Sequence, residues 1–241
     1  MFVKTFMPSS PTGRGYHALT PESPTPPALP HALFARARSV RDAARLRQRW
    51  YGTPYAAVAP HVPPHGTVVD VGCGFGLFAA ALAVEAPARE VVGLDLDAAK
   101  IDRGRRSFGD LPNLRLRAGD LGTAALPACA AVVAIDVLHH LEDGTVTRLL
   151  ADARARLAPD GVLVIKENDT EPWWKLQIAL GQEALAVGWG ITASAPVQLR
   201  GREAWADLLR EAGFTPRVVS RVRCGSYGDI VAHCLIVADV R

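Results

Sequence analysis

The stretch "VVDVGCGFGLFAAAL", Val68 to Leu82, decides the fold, because it joins a β-branched run to an alanine-rich helical run through Gly72, Gly74 and Gly76. This pattern predicts a strand ending at Val71 and a helix beginning near Gly74. At such a junction free backbone N–H groups and the helix dipole favour polar or anionic ligand groups, and glycines let the ligand approach closely. A dinucleotide site requires G-x-G-x-x-G. Here Gly76 comes one residue early, and Asp70 stands inside the strand end. Its carboxylate would repel a pyrophosphate and suits a ligand carrying positive charge, such as an ammonium group.

Outward from this turn, the runs "EVVGLDL", "NLRLRAGD", "AVVAIDV" and "GVLVIKE" alternate with helical patterns, which predicts a parallel sheet covered on both faces. "GTVTRLLADARARLAPDG" sets Val146, Leu149, Leu150, Ala153 and Leu157 on one helix face, and "GREAWADLLREAGF" does the same with Trp205, Leu208, Leu209 and Ala212. The final runs, "TPRVVSRVR" and "IVAHCLIVADV", predict a closing hairpin. The fold class is therefore α/β, an open doubly wound sheet. The expected domain spans 65–241, preceded by a helical cap over 31–64 and a flexible leader over 1–30. The leader's Pro, Ser and Thr content cannot offset the entropy of ordering it.

Composition narrows the function. A chain of 241 residues with 49% hydrophobic content can bury a full core. A net charge of +3 gives no general pull toward nucleic acid or anionic membrane. Cys73, Cys129, Cys224 and Cys234 are scattered, without C-x-x-C spacing or a neighbouring histidine, so reduced thiols and no metal are expected. The first ten residues lack an apolar core of signal-peptide length, and no apolar run approaches the ~20 residues that span a bilayer. A soluble, cytoplasmic protein without membrane insertion is the expectation; the oligomeric state is left open.

Further strand ends carry complementary chemistry. Asp95 follows the second strand, where a carboxylate can accept both hydroxyls of a ribose; Asp120 follows the third, an acceptor for an exocyclic amine; Asp136, His139 and His140 follow the fourth. Open α/β sheets bind ligands outside these strand ends.

In "VVDVGCGFG", "VVGLDLD", "AGDL", "AIDVLHHL" and "LAPDGVLVIKE" the chain resembles the class I S-adenosylmethionine-dependent methyltransferases. The resemblance implies a Rossmann-like seven-stranded sheet with its last strand antiparallel, and S-adenosylmethionine as cofactor. By that likeness Asp70, Gly72 and Gly74 hold the methionine end, Asp95 the ribose, Leu96 one adenine face, and Asp120 with Leu121 the adenine edge. Cys73 and Asp136 complete the cofactor side.

Methyl transfer is an in-line displacement, so orientation supplies much of the rate. A phenolic acceptor, with pKa about 10, gains reactivity when a base takes its proton, and His139 and His140 are the candidates, with one expected to face the pocket. Segments typical of DNA-amine, cytosine-carbon and arginine methylation are absent from the sequence. The insertion over about 170–200 is expected to form a helical lid, with one apolar stripe at Trp173, Leu176, Leu180, Ala184 and Val187 and another at Trp174, Ile178 and Leu185. One stripe packs on the domain and the other roofs an apolar acceptor pocket, with Trp189 near a glycine hinge and Trp50 and Tyr51 as the opposite wall. Glu167 and Asp169, at the pocket edge, bind an acceptor hydroxyl, assist deprotonation or cap the lid helix; capping is favoured. "IKENDTEPWWK" also resembles methyltransferases of lipid and polyketide-type pathways.

The function expected is O-methylation of a phenolic hydroxyl on an apolar small molecule. Two alternatives stand beside it. One is an RNA methyltransferase that uses the arginine-rich helix from Arg36 to Arg49 as a clamp, against which nucleic acid is judged an improbable partner. The other is a non-catalytic cofactor-binding module.

Overall fold

A computed structural model describes residues 31–188, 198–225 and 227–240. In chain order the elements are α1 (His31–Ala35), α2 (Val40–Gly52), α3 (Tyr55–Val58), β1 (Gly66–Val71), α4 (Leu77–Glu85), β2 (Arg89–Asp95), α5 (Ala98–Phe108), β3 (Leu114–Ala118) and β4 (Cys129–Ile135). They continue with α6 (Asp143–Arg156), β5 (Leu157–Asn168), α7 (Trp173–Gly188), α8 (Arg202–Glu211), β6 (Phe214–Val222) and β7 (His233–Val240). Among the described residues the strands form one seven-stranded sheet, ordered β3-β2-β1-β4-β5-β7-β6. β7 runs antiparallel between β5 and β6, while the pairings among β1 to β5 are parallel. The order reverses at β1 and β4, which brings their carboxyl ends together.

Strand alternation divides the core into two layers. Val68, Val91, Val133 and Val164 face α4, α5 and the cap, whereas Val69, Val132, Leu163 and Ile165 face α6 and α8. α4 begins at Leu77, three residues later than the glycine spacing predicts. Gly72, Gly74 and Gly76 all have positive φ, a conformation that a right-handed helix does not contain. Beneath the turn, Leu116 sits in a socket of three glycines. A Cβ on Gly76, Gly93 or Gly104 would stand 2.6, 2.7 or 2.8 Å from its methyl carbons.

The cap is fastened by aromatic contacts. Ser39 caps α2 by accepting from the Asp42 amide at 3.0 Å. Trp50 meets Phe34 edge-on at 6.3 Å, Tyr55 lies 5.3 Å from Trp50, and Tyr55 stacks on Phe78 of α4 at 4.7 Å. Burial of these rings and their specific geometry hold the cap on the domain. The turn over Tyr227–Ile230, between β6 and β7, packs against α2. No described helix is long and apolar enough to cross a membrane.

Candidate active site

The glycine turn is built to leave one side open. The amides of Gly72 and Cys73 both donate to the Leu94 carbonyl, at 2.7 and 3.0 Å, which pins the turn to the end of β2. Gly72 has φ +72° and lies against Val137, where a Cβ would come within 2.3 Å of a methyl carbon. Gly74 has φ +58°, and a Cβ there would meet nothing within 4 Å. Its amide donates to Asp95 Oδ2 at 2.8 Å, and the Asp97 amide donates to Oδ1 at 2.9 Å. Each Asp95 oxygen keeps a second lone pair for a ligand hydroxyl. Leu96 beside it is 66% exposed, an apolar side chain held at the strand end without a packing partner among the described core residues.

Asp70 supplies the test of fit. It is 2% exposed, and its Oδ2 has no hydrogen-bond partner among the described residues. Burial, reinforced by the charge of Asp95, pushes its carboxyl up to about 7. A buried acceptor left open beside an open glycine turn fits a ligand that brings a donor and positive charge. Asp120 is exposed and accepts from the Gly122 amide at 2.8 Å, closing its own turn. Leu121 packs in the core layer with Val69 and Val71.

At the ends of β4 and β5 the charges are denser. Asp136 adopts φ +51°, a costly conformation for a non-glycine residue. Its Oδ1 pairs with Lys166, whose side chain is fully buried, and its Oδ2 lies 3.4 Å from Arg49. Burial opposes its ionisation, but Lys166 and Arg49 outweigh burial and hold the carboxyl well below the usual range. One residue further along β5, buried Glu167 accepts from the amides of Val137 and Leu138, at 3.1 and 2.8 Å, through Oε1. Its Oε2 pairs with His139 Nδ1. The His139 ring is buried and touches the half-buried His140 ring, with centroids 4.0 Å apart. Glu167 thus shapes the loop after β4 and sets the orientation of His139. With Nδ1 directed at the carboxylate, the ring's basic lone pair falls on Nε2.

The remaining expected residues divide. Asp169 does not cap α7. Buried at the end of β5, it accepts from Arg202 Nη1 at 2.7 Å and Arg221 Nε at 3.2 Å, tying β5 to α8 and β6, because two guanidinia are stronger partners for a carboxylate than backbone amides. Trp50 lies in the cap core rather than on a wall, while Tyr51 is 39% exposed. α7 packs through Ala179 on Leu199 and Val231, leaving Trp173 and Trp174 on its exposed side. Trp189 falls outside the described residues. The arginine-rich segment is partly committed to docking: Arg36 pairs with Asp110, Arg38 donates to the Arg106 carbonyl, and Arg49 reaches Asp136. Sequence reasoning missed Lys166 and Arg49 as the partners of Asp136. A lysine inside "VLVIKE", a run buried on both faces, was the available signal.

The chain matches the family model of a methyltransferase domain over residues 41–219. It is 37% identical over 115 residues to an uncharacterized methyltransferase of Mycobacterium tuberculosis, a match covering 46% of this chain and 56% of that protein. The chain therefore spans little more than half the length of such curated relatives. It is 32% identical over 192 residues to a trans-aconitate 2-methyltransferase of Methylobacterium radiotolerans, covering 78% of this chain and 65% of that one. Among solved structures, human N-acetylserotonin methyltransferase in complex with SAM superposes with a TM-score of 0.62 at 20% identity, covering 88% of this chain and 60% of that one. That likeness concerns the fold.

Proposed function

Since the chain belongs to the class I S-adenosylmethionine-dependent methyltransferases, we propose that it methylates a hydroxyl, most simply a phenol, on a small apolar acceptor. The cofactor, when bound, supplies an electrophilic methyl group on a sulfonium. The chain's residues would then hold it: Asp70 and the open side of Gly74 at the amino-acid end, Asp95 at the ribose, Leu96 at one base face, with Asp120 at the base edge. The observation that carries the proposal is the buried His139–Glu167 pair, whose histidine follows β4, the strand beside the one that carries this turn. A buried carboxylate holding Nδ1 fixes the imidazole and stabilises it once it takes a proton, which is what removing a phenol proton requires. Trp173 and Trp174 on α7 and Tyr51 on the cap supply aromatic surface for the acceptor.

A second reading is favoured by one observation. Lys166 and Arg49 gather positive charge around Asp136, and a relative carries the name trans-aconitate 2-methyltransferase. In that case the acceptor oxygen belongs to a carboxylate, which is already ionised at neutral pH and needs no base. The RNA reading is weakened because Arg36, Arg38 and Arg49 hold the cap to the domain.

The test uses methyl-labelled cofactor with panels of phenols and of polycarboxylic acids, on the unmodified protein and His139→Ala. Phenol methylation that falls about 100-fold or more in the variant, with S-adenosylhomocysteine binding retained, supports the first reading. Carboxylate methylation indifferent to His139 supports the second. Stoichiometric cofactor binding with no labelled product from either panel or from a cell extract would leave a binding module.

A further inference from the structure

Docking of the cap uses only part of its arginine content. Arg36 pairs with Asp110, and Arg38 Nε donates to the Arg106 carbonyl at 3.0 Å, which sets the start of α2 beside the end of α5. Between the two helices lies an open groove lined by Arg45 and Leu46 of α2, Phe75 of the glycine turn, and Arg103 and Phe108 of α5. Leu46 and Phe108 are buried at its base, whereas Arg45 and Arg103 are exposed, one on each helix. Arg41 stands one turn before Arg45 and Arg106 one turn after Arg103, and both are exposed as well. Among the described residues no acid pairs with the side chains of Arg41, Arg45, Arg103 or Arg106. Asp42, the acid that lines the groove, accepts from the Ser39 hydroxyl at 2.7 Å.

Like charges on neighbouring turns repel, and an anionic partner relieves that repulsion. Arg41 with Arg45 and Arg103 with Arg106 are i,i+4 and i,i+3 pairs, about 5–6 Å apart at their Cβ atoms, which is also the spacing of carboxylates on successive turns of another helix. An apolar base between charged flanks complements a helix whose apolar stripe is bordered by glutamates or aspartates. Nucleic acid fits less well. Phe108 is buried and Phe75 half-buried, so the groove offers no open ring face for base stacking, and a phosphate chain charged at every residue would have to pass Asp42. A peptide helix avoids that clash by carrying a neutral residue there. We propose that the groove between α2 and α5 docks an acidic amphipathic helix of a protein partner. Arg45 lies one turn, about 6 Å of helix axis, before Arg49, which reaches Asp136 at the end of β4. A partner seated in the groove is thus joined through α2 to the strand ends where the acceptor is proposed to bind.

Anisotropy titrations at low salt test this with three labelled probes: a helical peptide whose leucine stripe is flanked by glutamates at i,i+4, the same peptide with lysines in place of the glutamates, and single-stranded RNA. The full chain should bind the acidic peptide, less tightly as salt rises, and should not bind the basic one. Arg45→Glu combined with Arg103→Glu should weaken the acidic peptide at least about tenfold, because opposed like charges add repulsion to the lost attraction, and should create binding of the basic peptide. Thermal unfolding checks that this variant is folded; if it is not, Arg45→Gln with Arg103→Gln is read instead and should show a loss in the same direction. No cofactor enters these titrations, so their outcome is independent of the methyl-transfer reading. Absence of binding by the acidic peptide, or binding indifferent to the substitutions, would overturn the proposal. RNA that binds more tightly than the peptide and is lost in the same variants would overturn it in favour of nucleic acid.

Discussion

A carboxyl group buried with one oxygen unpartnered is unstable as an anion, and Asp70 responds by holding its proton to about 7, because of burial first and the charge of Asp95 second. Its folded value lies above that of an aspartate in the unfolded chain, so folding takes up a proton. The stability linked to this group is fully present below about pH 4 and is lost as pH rises toward 7. The thermal midpoint of the ligand-free protein should therefore fall over that interval more steeply than that of Asp70→Asn; identical slopes would remove Asp70 as the cause. A cationic ligand reverses the preference, since it pairs with the ionised form. S-adenosylhomocysteine should bind more tightly as pH rises through 7 and release a proton below it, which calorimetry in buffers of different ionisation enthalpy detects. Asp70 was legible in the sequence because its chemistry depends on its immediate neighbours, a strand before it and glycines after it. Lys166 and Arg49 were not, because their partner Asp136 lies 30 residues from one and on a different element from the other.

Among the elements, the turn from β1 to α4 separates structural glycines from functional ones. Gly72→Ala would place a Cβ 2.3 Å from Val137 in a left-handed conformation, and should destabilise the protein by about 3 kcal/mol in urea unfolding. Gly74→Ala meets no neighbour, so only the backbone term of about 1 kcal/mol should appear, yet S-adenosylhomocysteine binding should fall at least about tenfold. If Gly74→Ala binds normally, the open side of the turn is not the ligand's side. The α/β order and the closing hairpin were readable from period-2 and period-3.6 patterns, which depend on local burial. The start of α4 was not, because composition does not distinguish helical from left-handed glycine. In α7, the two apolar stripes gave the helix but not its facing. Ala179, small enough to approach Leu199 and Val231, is buried, and the tryptophans remain outside.

For the whole molecule, the sheet is braced at its far side by Asp169, which links β5 to α8 and β6 through Arg202 and Arg221. Asp169→Ala should cost about 2 kcal/mol by chemical denaturation, at the lower end for such pairs because both guanidinia reach solvent. A change under about 0.5 kcal/mol would mean that Glu171 takes over both cations. The cap, by contrast, is held by rings and by Arg36, so its docking does not depend on that brace. The Leu116 socket joins three further parts of the chain: the turn through Gly76, β2 through Gly93 and α5 through Gly104. A methyl group added at any of the three strikes the same leucine, so these positions cannot drift independently. Evolutionary change there is blocked from more than one side: a smaller residue at 116 would relieve the contact at Gly76, whereas Gly93 would still face the Cys73 sulfur at 2.8 Å and Gly104 the Phe75 carbonyl oxygen at 2.5 Å, so no single exchange at 116 frees all three.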